Sequence, residues 1–353
     1  MPADEPLYDD PGVGGGAGAP RLRNFSSWAQ WMLRLDATVV DDPAPVDDVA
    51  AYPAWRERAG QRLQALLGPD PEPVPLDVEV TESVDCGPYR RDRIVFDTEP
   101  AMSVPAYLLV PHERTSPGTA VLALHGHGPG KAEIVGLEPD GRHDDYAHQL
   151  ASRGHVVLAP DHRGFGERRD WTPPDKYHCD VNLVHATMAG AVPLAQNLWD
   201  LRCALDVLEQ HPLVDARSIG AAGLSYGGTL TLFLTALDAR VRAAVVSGFF
   251  SSWRAAHQVP FNMCGSQVLP GMLGRFEHVD LGALVAPRPL LIESGDQDFL
   301  FPIDAARASV AELSKLYDAL GAPGALELDA FEGHHSWHGL RAYDFLARNL
   351  APD

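Results

Sequence analysis

Apolar and polar positions alternate in three different rhythms along the chain. In residues 24–36 (NFSSWAQWMLRLD), Trp28, Met32 and Leu33 recur at helical spacing, and in 52–67 Trp55, Leu63 and Leu66 do the same. Both patterns predict helices that pack on a main domain. The proline-rich PDPEPVP interrupts them. Alternating stretches at Leu76–Val84, Asp92–Asp97 and Ser103–Val110 then predict antiparallel strands.

From Thr119 onward the rhythm is strand, helix, strand. TAVLALHG, HVVLAPD, SIGAAGLS, RAAVVSGF, RPLLIESGDQD and ALELDAF are apolar runs that end in glycine, serine, aspartate or aromatic residues. Between them lie helical patterns such as DDYAHQLASRG and VPLAQNLWDLRCALDVLEQ, the latter with Leu194, Leu198, Leu201, Leu205 and Leu208 on one face. IDAARASVAELSKLYDAL and SWHGLRAYDFLARNL predict the last two helices. Runs buried on both faces and alternating with helices indicate an α/β fold with a doubly wound, mostly parallel sheet. Residues 1–20, centred on GVGGGAGAP, read as a disordered tail, 21–115 as helices and antiparallel strands packed on the core, and 116–353 as the main α/β domain. Two irregular insertions, 166–192 and 250–280, follow strands at the rim where open α/β sheets bind ligands.

Charge and composition narrow the functions. The formal net charge is −20, and Lys and Arg are scattered, which argues against a nucleic-acid partner. No apolar run is long enough to span a bilayer. The N-terminus MPADEPLYDD lacks the basic start and apolar core of a signal peptide. A cytoplasmic protein with no membrane partner is expected. Cys86, Cys179, Cys203 and Cys264 form no C-x-x-C pair, so they are expected to be reduced, apolar in role and not zinc ligands. His178, Asp180 and His185 offer donors, but at a spacing that fits no standard metal pattern. No cofactor and no metal are expected.

The chemistry concentrates in three segments. Gly223-Leu224-Ser225-Tyr226-Gly227 is a G-x-S-x-G corner with an apolar strand before it and an apolar helix after it. Such a corner exposes a serine on a sharp turn and aims helix N-terminal N–H groups at charge forming beside it. A serine hydroxyl needs a base oriented by a third group. ESGDQDFLFP ends a later strand with Asp296 and Asp298, and DAFEGHHSW ends the last strand with His334 and His335. Asp298, three residues after Gly295 and four before Pro302, is favoured as the acid, with Asp296 as a turn residue. His335 is favoured as the base over His334. The oxyanion donors are expected to be the backbone N–H of Tyr226 and that of His127 in LHGHGPGK, with Gly128 next to it.

Together these pieces resemble the α/β-hydrolase superfamily, and within it the dienelactone hydrolase and acetyl xylan esterase-like branch of prolyl-oligopeptidase-type serine hydrolases. The blocks LALHGHGPGK, VVLAPDHRGFGERR, GLSYGG, FNMCGSQVLPGML, APRPLLIESGDQDFLFP and FEGHHSW carry the resemblance, over roughly residues 100–350. It implies an α/β-hydrolase fold with an N-terminal helical and β extension and inserted cap segments. It also implies a nucleophile at Ser225, an acid at Asp298, a base at His335 and oxyanion donors at Tyr226 and His127. In the DHRGFGERR block it implies a structural role for Asp161 and Arg163. Dienelactone hydrolases proper use Cys as nucleophile, so dienelactone is not the expected substrate here.

The leading expectation is therefore a serine hydrolase acting on a small-molecule carboxylic ester. C–C, amide, peptide and thioester hydrolysis on the same triad stand as alternatives, ahead of a non-catalytic binding protein. Trp171, Phe250, Trp253 and Phe261 in the two insertions suggest a partly apolar pocket. Whether the protein forms a homo-oligomer is left open by the sequence.

Overall fold

The strands assemble into one nine-stranded sheet, described here from a computed structural model over residues 23–138, 144–172, 176–257 and 263–351. The 1–20 segment and Phe261 lie outside the described residues. The strands are β1 (Glu79–Asp85), β2 (Tyr89–Glu99), β3 (Met102–Pro111), β4 (Gly118–Leu124), β5 (Val156–Pro160), β6 (Val214–Leu224), β7 (Val241–Ser247), β8 (Leu290–Gly295) and β9 (Leu326–Phe331). Their spatial order is β1-β2-β3-β5-β4-β6-β7-β8-β9. β5, β4 and β6 to β9 run parallel, while β1, β2 and β3 pair antiparallel with each other, and β3 pairs antiparallel with β5. The antiparallel strands expected before residue 115 thus extend the same sheet on one edge.

The helices are α1 (Ser27–Ala37), α2 (Tyr52–Leu67), α3 (Lys131–Ile134), α4 (Tyr146–Ser152), α5 (His178–Met188), α6 (Pro193–Gln210), α7 (Tyr226–Leu237), α8 (Trp253–Ala256), α9 (His278–Val285), α10 (Ile303–Ala319) and α11 (Ala342–Leu350). The central strands are buried on both faces, which explains their unbroken apolar runs. Along β4, Ala120, Leu122 and Leu124 join one core cluster with α6, α7 and α10, while Val121 and Ala123 join the other with α4 and α11. No helix among the described residues is long and apolar enough to cross a membrane.

Two expectations change. The segments 250–280 and 166–192 are not irregular throughout, because the short α8 forms within the former and α5 within the latter. α5 buries only Cys179 and Ala186, so it lacks the apolar stripe from which a surface helix is read. The last helix begins at Ala342 rather than in SWHG, because Gly339 adopts φ +70 and breaks the turn there.

The N-terminal helices attach unequally. α2 is anchored by Tyr52, whose hydroxyl donates to the carbonyls of Ala283 and Ala286 at 2.9 and 2.7 Å, and by the buried ring of Trp55. α1 buries no residue completely. With the second insertion it encloses an apolar cavity of about 300 Å³ lined by Trp28, Trp31, Leu35, Trp253 and Met272.

A buried ion network ties the β5 end to α6. Arg163 grips Asp200 through two bonds of 2.8 Å and also reaches Glu99. Arg168 and Thr98 supply Asp200 with further donors at 2.8 and 2.7 Å. Removing one partner of a buried pair leaves a charge without compensation. Arg163→Met should therefore cost about 3 kcal/mol, read as a lower urea midpoint at unchanged slope. A change below about 0.5 kcal/mol would show the network to be dispensable.

Candidate active site

The winding of the sheet reverses at β4: the chain proceeds from β4 outward to β5, then returns to β6 and continues through β7, β8 and β9 on the other side. The crevice beyond the carboxyl ends of β4 and β6 is where such sheets accept ligands. Ser225 ends β6 there, and His127 follows β4.

Ser225 has φ +60 and ψ −116 and is 8% exposed. A side chain at positive φ is strained, at a cost of about 1–3 kcal/mol. The turn is held by Ser225 N–H donating to Ser247 O and by Thr229 N–H donating to Ser225 O, both at 2.9 Å. The glycines are required by close approach. A Cβ on Gly227 would lie 1.8 Å from Leu124 O, and one on Gly228 would lie 2.6 Å from Ser247 O. Tyr226 opens α7, so its N–H is one of the unpaired donors at a helix start.

The two later segments meet beside this corner. His335 Nδ1 and Asp298 Oδ2 are 2.7 Å apart. Asp298 is buried, and its Oδ1 accepts the N–H groups of Leu300 and Phe301 at 2.9 and 3.1 Å, which fixes the carboxylate. The His335 ring stacks on Phe301 and lies against Gly248, where a Cβ would come within 3.0 Å of the imidazole. Gly248 follows Ser247, the acceptor of the Ser225 N–H. Serine and imidazole therefore flank the same two residues at the end of β7. His335 Nε2 is shielded and has no hydrogen-bond partner among the described residues.

Asp296 and His334 are placed differently. Asp296 is exposed and accepts the Gly333 N–H at 3.0 Å, joining the β8 and β9 loops. His334 is exposed, with Nδ1 3.4 Å from Gln297 O.

The β4–α3 loop is braced from below. Asp161 accepts from Lys131 N–H and Glu167 N–H at 2.8 and 2.9 Å, and from Lys131 Nζ at 2.5 Å. Glu167 also pairs with Lys131 and Arg93, and these cations hold its carboxyl down to about 2. The ring of His127 packs on Phe165 and Tyr226 at 5.3 and 5.5 Å between centroids. Asp161 and Arg163 thus bind protein groups. Of the insertion aromatics, Phe250 and Trp253 are buried, with Trp253 Nε1 donating to Phe276 O, and Trp171 is exposed.

Two features of the rim were not foreseen. The first unites residues far apart in sequence: His127, Cys179 and Cys264 gather with their donor atoms within 4.8 Å. The neighbouring Cys264 and the His127 ring hold the Cys179 thiol down to about 5, while burial pushes that of Cys264 well up. His178 instead meets Thr172 and Arg169, and Asp180 accepts from Gly265 N–H.

The second is Glu293, fully buried in β8, with Gly339 N–H donating to its Oε1 at 3.0 Å. Burial pushes its carboxyl up to about 7, aided by the nearby Asp329. Its only sequence signal was a single acid inside the apolar run LLIES. A raised carboxyl holds its proton in the folded state after the unfolded chain has released it. Its contribution is thus full below the ordinary 4.5 and is lost as pH rises to about 7. That interval corresponds to about 3 kcal/mol. Glu293→Gln is expected to flatten the fall in stability between pH 5 and 8 and to be the more stable protein at pH 8. Parallel denaturation curves across that range for both proteins would refute this.

Comparisons with known proteins agree with this architecture. The model of a family described as the Abhydrolase family matches residues 43–317, a span that includes Ser225 and Asp298 and ends before His335. "Putative hydrolase YtaP" of Bacillus subtilis (strain 168) is 27% identical over 277 residues, covering 76% of this chain and 89% of that protein. A Bacteroides fragilis NCTC 9343 structure described as a "putative acetyl xylan esterase" superposes with a TM-score of 0.75 at 19% identity, covering 88% of this chain and 83% of that one. A glucuronoyl esterase from Solibacter usitatus gives 0.63 at 16% identity, covering 83% and 91%. At such identities the two structures speak for the shared fold. With the family model spanning most of its length, the chain belongs to the Abhydrolase family of α/β-hydrolases.

Proposed function

We propose that the protein is a serine hydrolase that cleaves a carboxylic ester through Ser225, His335 and Asp298. The observation that carries this reading is the His335–Asp298 bond of 2.7 Å, with the other imidazole nitrogen left without a partner among the described residues, beside a serine on a strained strand-to-helix turn. Asp298 holds the ring with its proton on Nδ1, which leaves Nε2 as the base. Ser225 Oγ attacks the ester carbonyl as Nε2 takes its proton. The backbone N–H groups of Tyr226 and His127 receive the developing oxyanion. His335 then returns the proton to the departing alcohol, and a water molecule activated in the same way releases the acid from the acyl-enzyme.

The structural neighbours support an ester as the bond cleaved, since one is described as a "putative acetyl xylan esterase" and the other as a glucuronoyl esterase. An acylated or esterified sugar is accordingly the substrate class to test first. No feature of the rim among the described residues favours an amide, a thioester or a C–C bond over it.

Ser225→Ala should fold normally and lose at least about 10³-fold in kcat on short acyl esters, and a fluorophosphonate should label the parent at Ser225. Undiminished turnover in that variant, or labelling elsewhere, would sink the assignment. Asp298→Asn should lower kcat by a comparable order, about 10³–10⁴-fold, with little change in KM. A panel of acetylated sugars, sugar-acid methyl esters, peptide anilides and β-diketones separates the bond types. Preference for either of the last two would displace the ester reading.

A further inference from the structure

The soft donors beside the rim form a set that the ester chemistry does not use. His127 Nε2, Cys179 Sγ and Cys264 Sγ lie within 4.8 Å of one another, and the first two are 3.9 Å apart. They come from three separate segments: the β4–α3 loop, α5, and the second insertion. We propose that these three side chains bind a thiophilic divalent cation, with zinc as the representative ion.

The donor chemistry is one imidazole and two thiols, the combination zinc prefers, with the fourth position left for water. Tetrahedral coordination at ordinary Zn–S and Zn–N lengths places donors about 3.6–3.8 Å apart. The His127–Cys179 pair, at 3.9 Å, is already close to that, and Cys264 Sγ lies within 4.8 Å of both. The surroundings hold the donors in place. The His127 ring is wedged between Phe165 and Tyr226. The turn carrying Cys264 is pressed onto α5: a Cβ on Gly265 would lie 2.5 Å from Leu183 Cβ, and Gly265 N–H donates to Asp180 at 2.9 Å. Ser266 N–H donates to Cys264 Sγ at 3.3 Å, the kind of outer bond that stabilises a ligating thiolate. A bound cation would clip both insertions to the loop whose backbone approaches Ser225.

The test uses the full chain, kept reduced with a phosphine, and three readouts that need no turnover. Calorimetric titration with zinc chloride should show one equivalent bound per chain. Cobalt chloride should produce a near-ultraviolet thiolate-to-cobalt charge-transfer band on the parent protein. Cys179→Ser and Cys264→Ser should each weaken zinc binding at least about tenfold, whereas Cys86→Ser and Cys203→Ser should leave it unchanged. The zinc-induced rise in Tm should disappear with the first two variants only. A cobalt complex without the thiolate band overturns the proposal, whatever the variants do. So does zinc affinity in the Cys179 and Cys264 variants within about twofold of the parent. A reduced chain that binds no zinc, but joins Cys179 to Cys264 when peroxide is added, overturns it as well. None of these results bears on whether Ser225 cleaves esters.

Discussion

The carbonyl oxygens of Leu124 and Ser247 press against the first turn of α7 with no side chain between them. This contact sets the position of everything else on the rim. It demands glycine at 227 and 228 and leaves Ser225 as the residue that must take the left-handed turn. The strain of about 1–3 kcal/mol is met by the surrounding pairings. Leu124 is in register with Gly223, and Leu224 with Ser247. α7 buries ten consecutive residues, Tyr226 to Thr235, against both neighbouring layers. The serine cannot relax without breaking that packing. The imidazole is located by the same hinge, because His335 lies on Gly248, immediately after the carbonyl that receives the Ser225 N–H.

The other half of the rim is held by charge. The β4–α3 loop carries glycines at 126, 128 and 130 and would be mobile if left to itself. Asp161 removes that freedom by collecting the Lys131 and Glu167 backbone N–H groups together with the Lys131 ammonium. Two residues further on, Arg163 fastens the same β5 end to α6 through Asp200. Buried charges of this kind contribute little net stability compared with apolar packing. What they supply is position for the backbone of a loop that its glycines would otherwise leave free.

What was legible in the sequence follows from the range of the interactions that encode it. The parallel strands and their helices were readable because burial on both faces leaves long apolar runs, as in TAVLALHG and RAAVVSGF. The G-x-S-x-G corner was readable because steric demand at 1.8–2.6 Å forces a residue type into the chain. The choice between Asp296 and Asp298, and between His334 and His335, was less so. Adjacent positions in a loop differ by the direction a turn gives them, and the bonds from Leu300 and Phe301 N–H decide that direction for Asp298. α5 escaped because a helix held mainly by its ends and two small side chains carries no stripe. The His127–Cys179–Cys264 cluster escaped because its members are 52 and 85 residues apart in the chain, and no spacing rule covers donors brought together by two insertions.

The division of labour between sheet and insertions has an energetic basis. Ser225 and Asp298 follow the inner strands β6 and β8, where displacement would expose fully buried apolar side chains at about 1.5–3 kcal/mol each, and His335 follows the edge strand β9. The first insertion is anchored more lightly than the second, which buries Phe250, Trp253, Leu269 and Phe276 in the core. α5 offers the core only a cysteine and an alanine, and the short α8 is held by Ser252 at its start and by Trp253 beneath it. The two insertions are linked to each other through Asp180 and Gly265, so a shift in one is transmitted to the other. Substitutions on α5 can therefore change this part of the rim while the turn at Ser225 and the His335–Asp298 bond stay where the sheet puts them. The turn at Ser225 is written into close backbone contacts that tolerate no side chain, whereas α5 meets the core through two small side chains and leaves the rest of its surface free to vary.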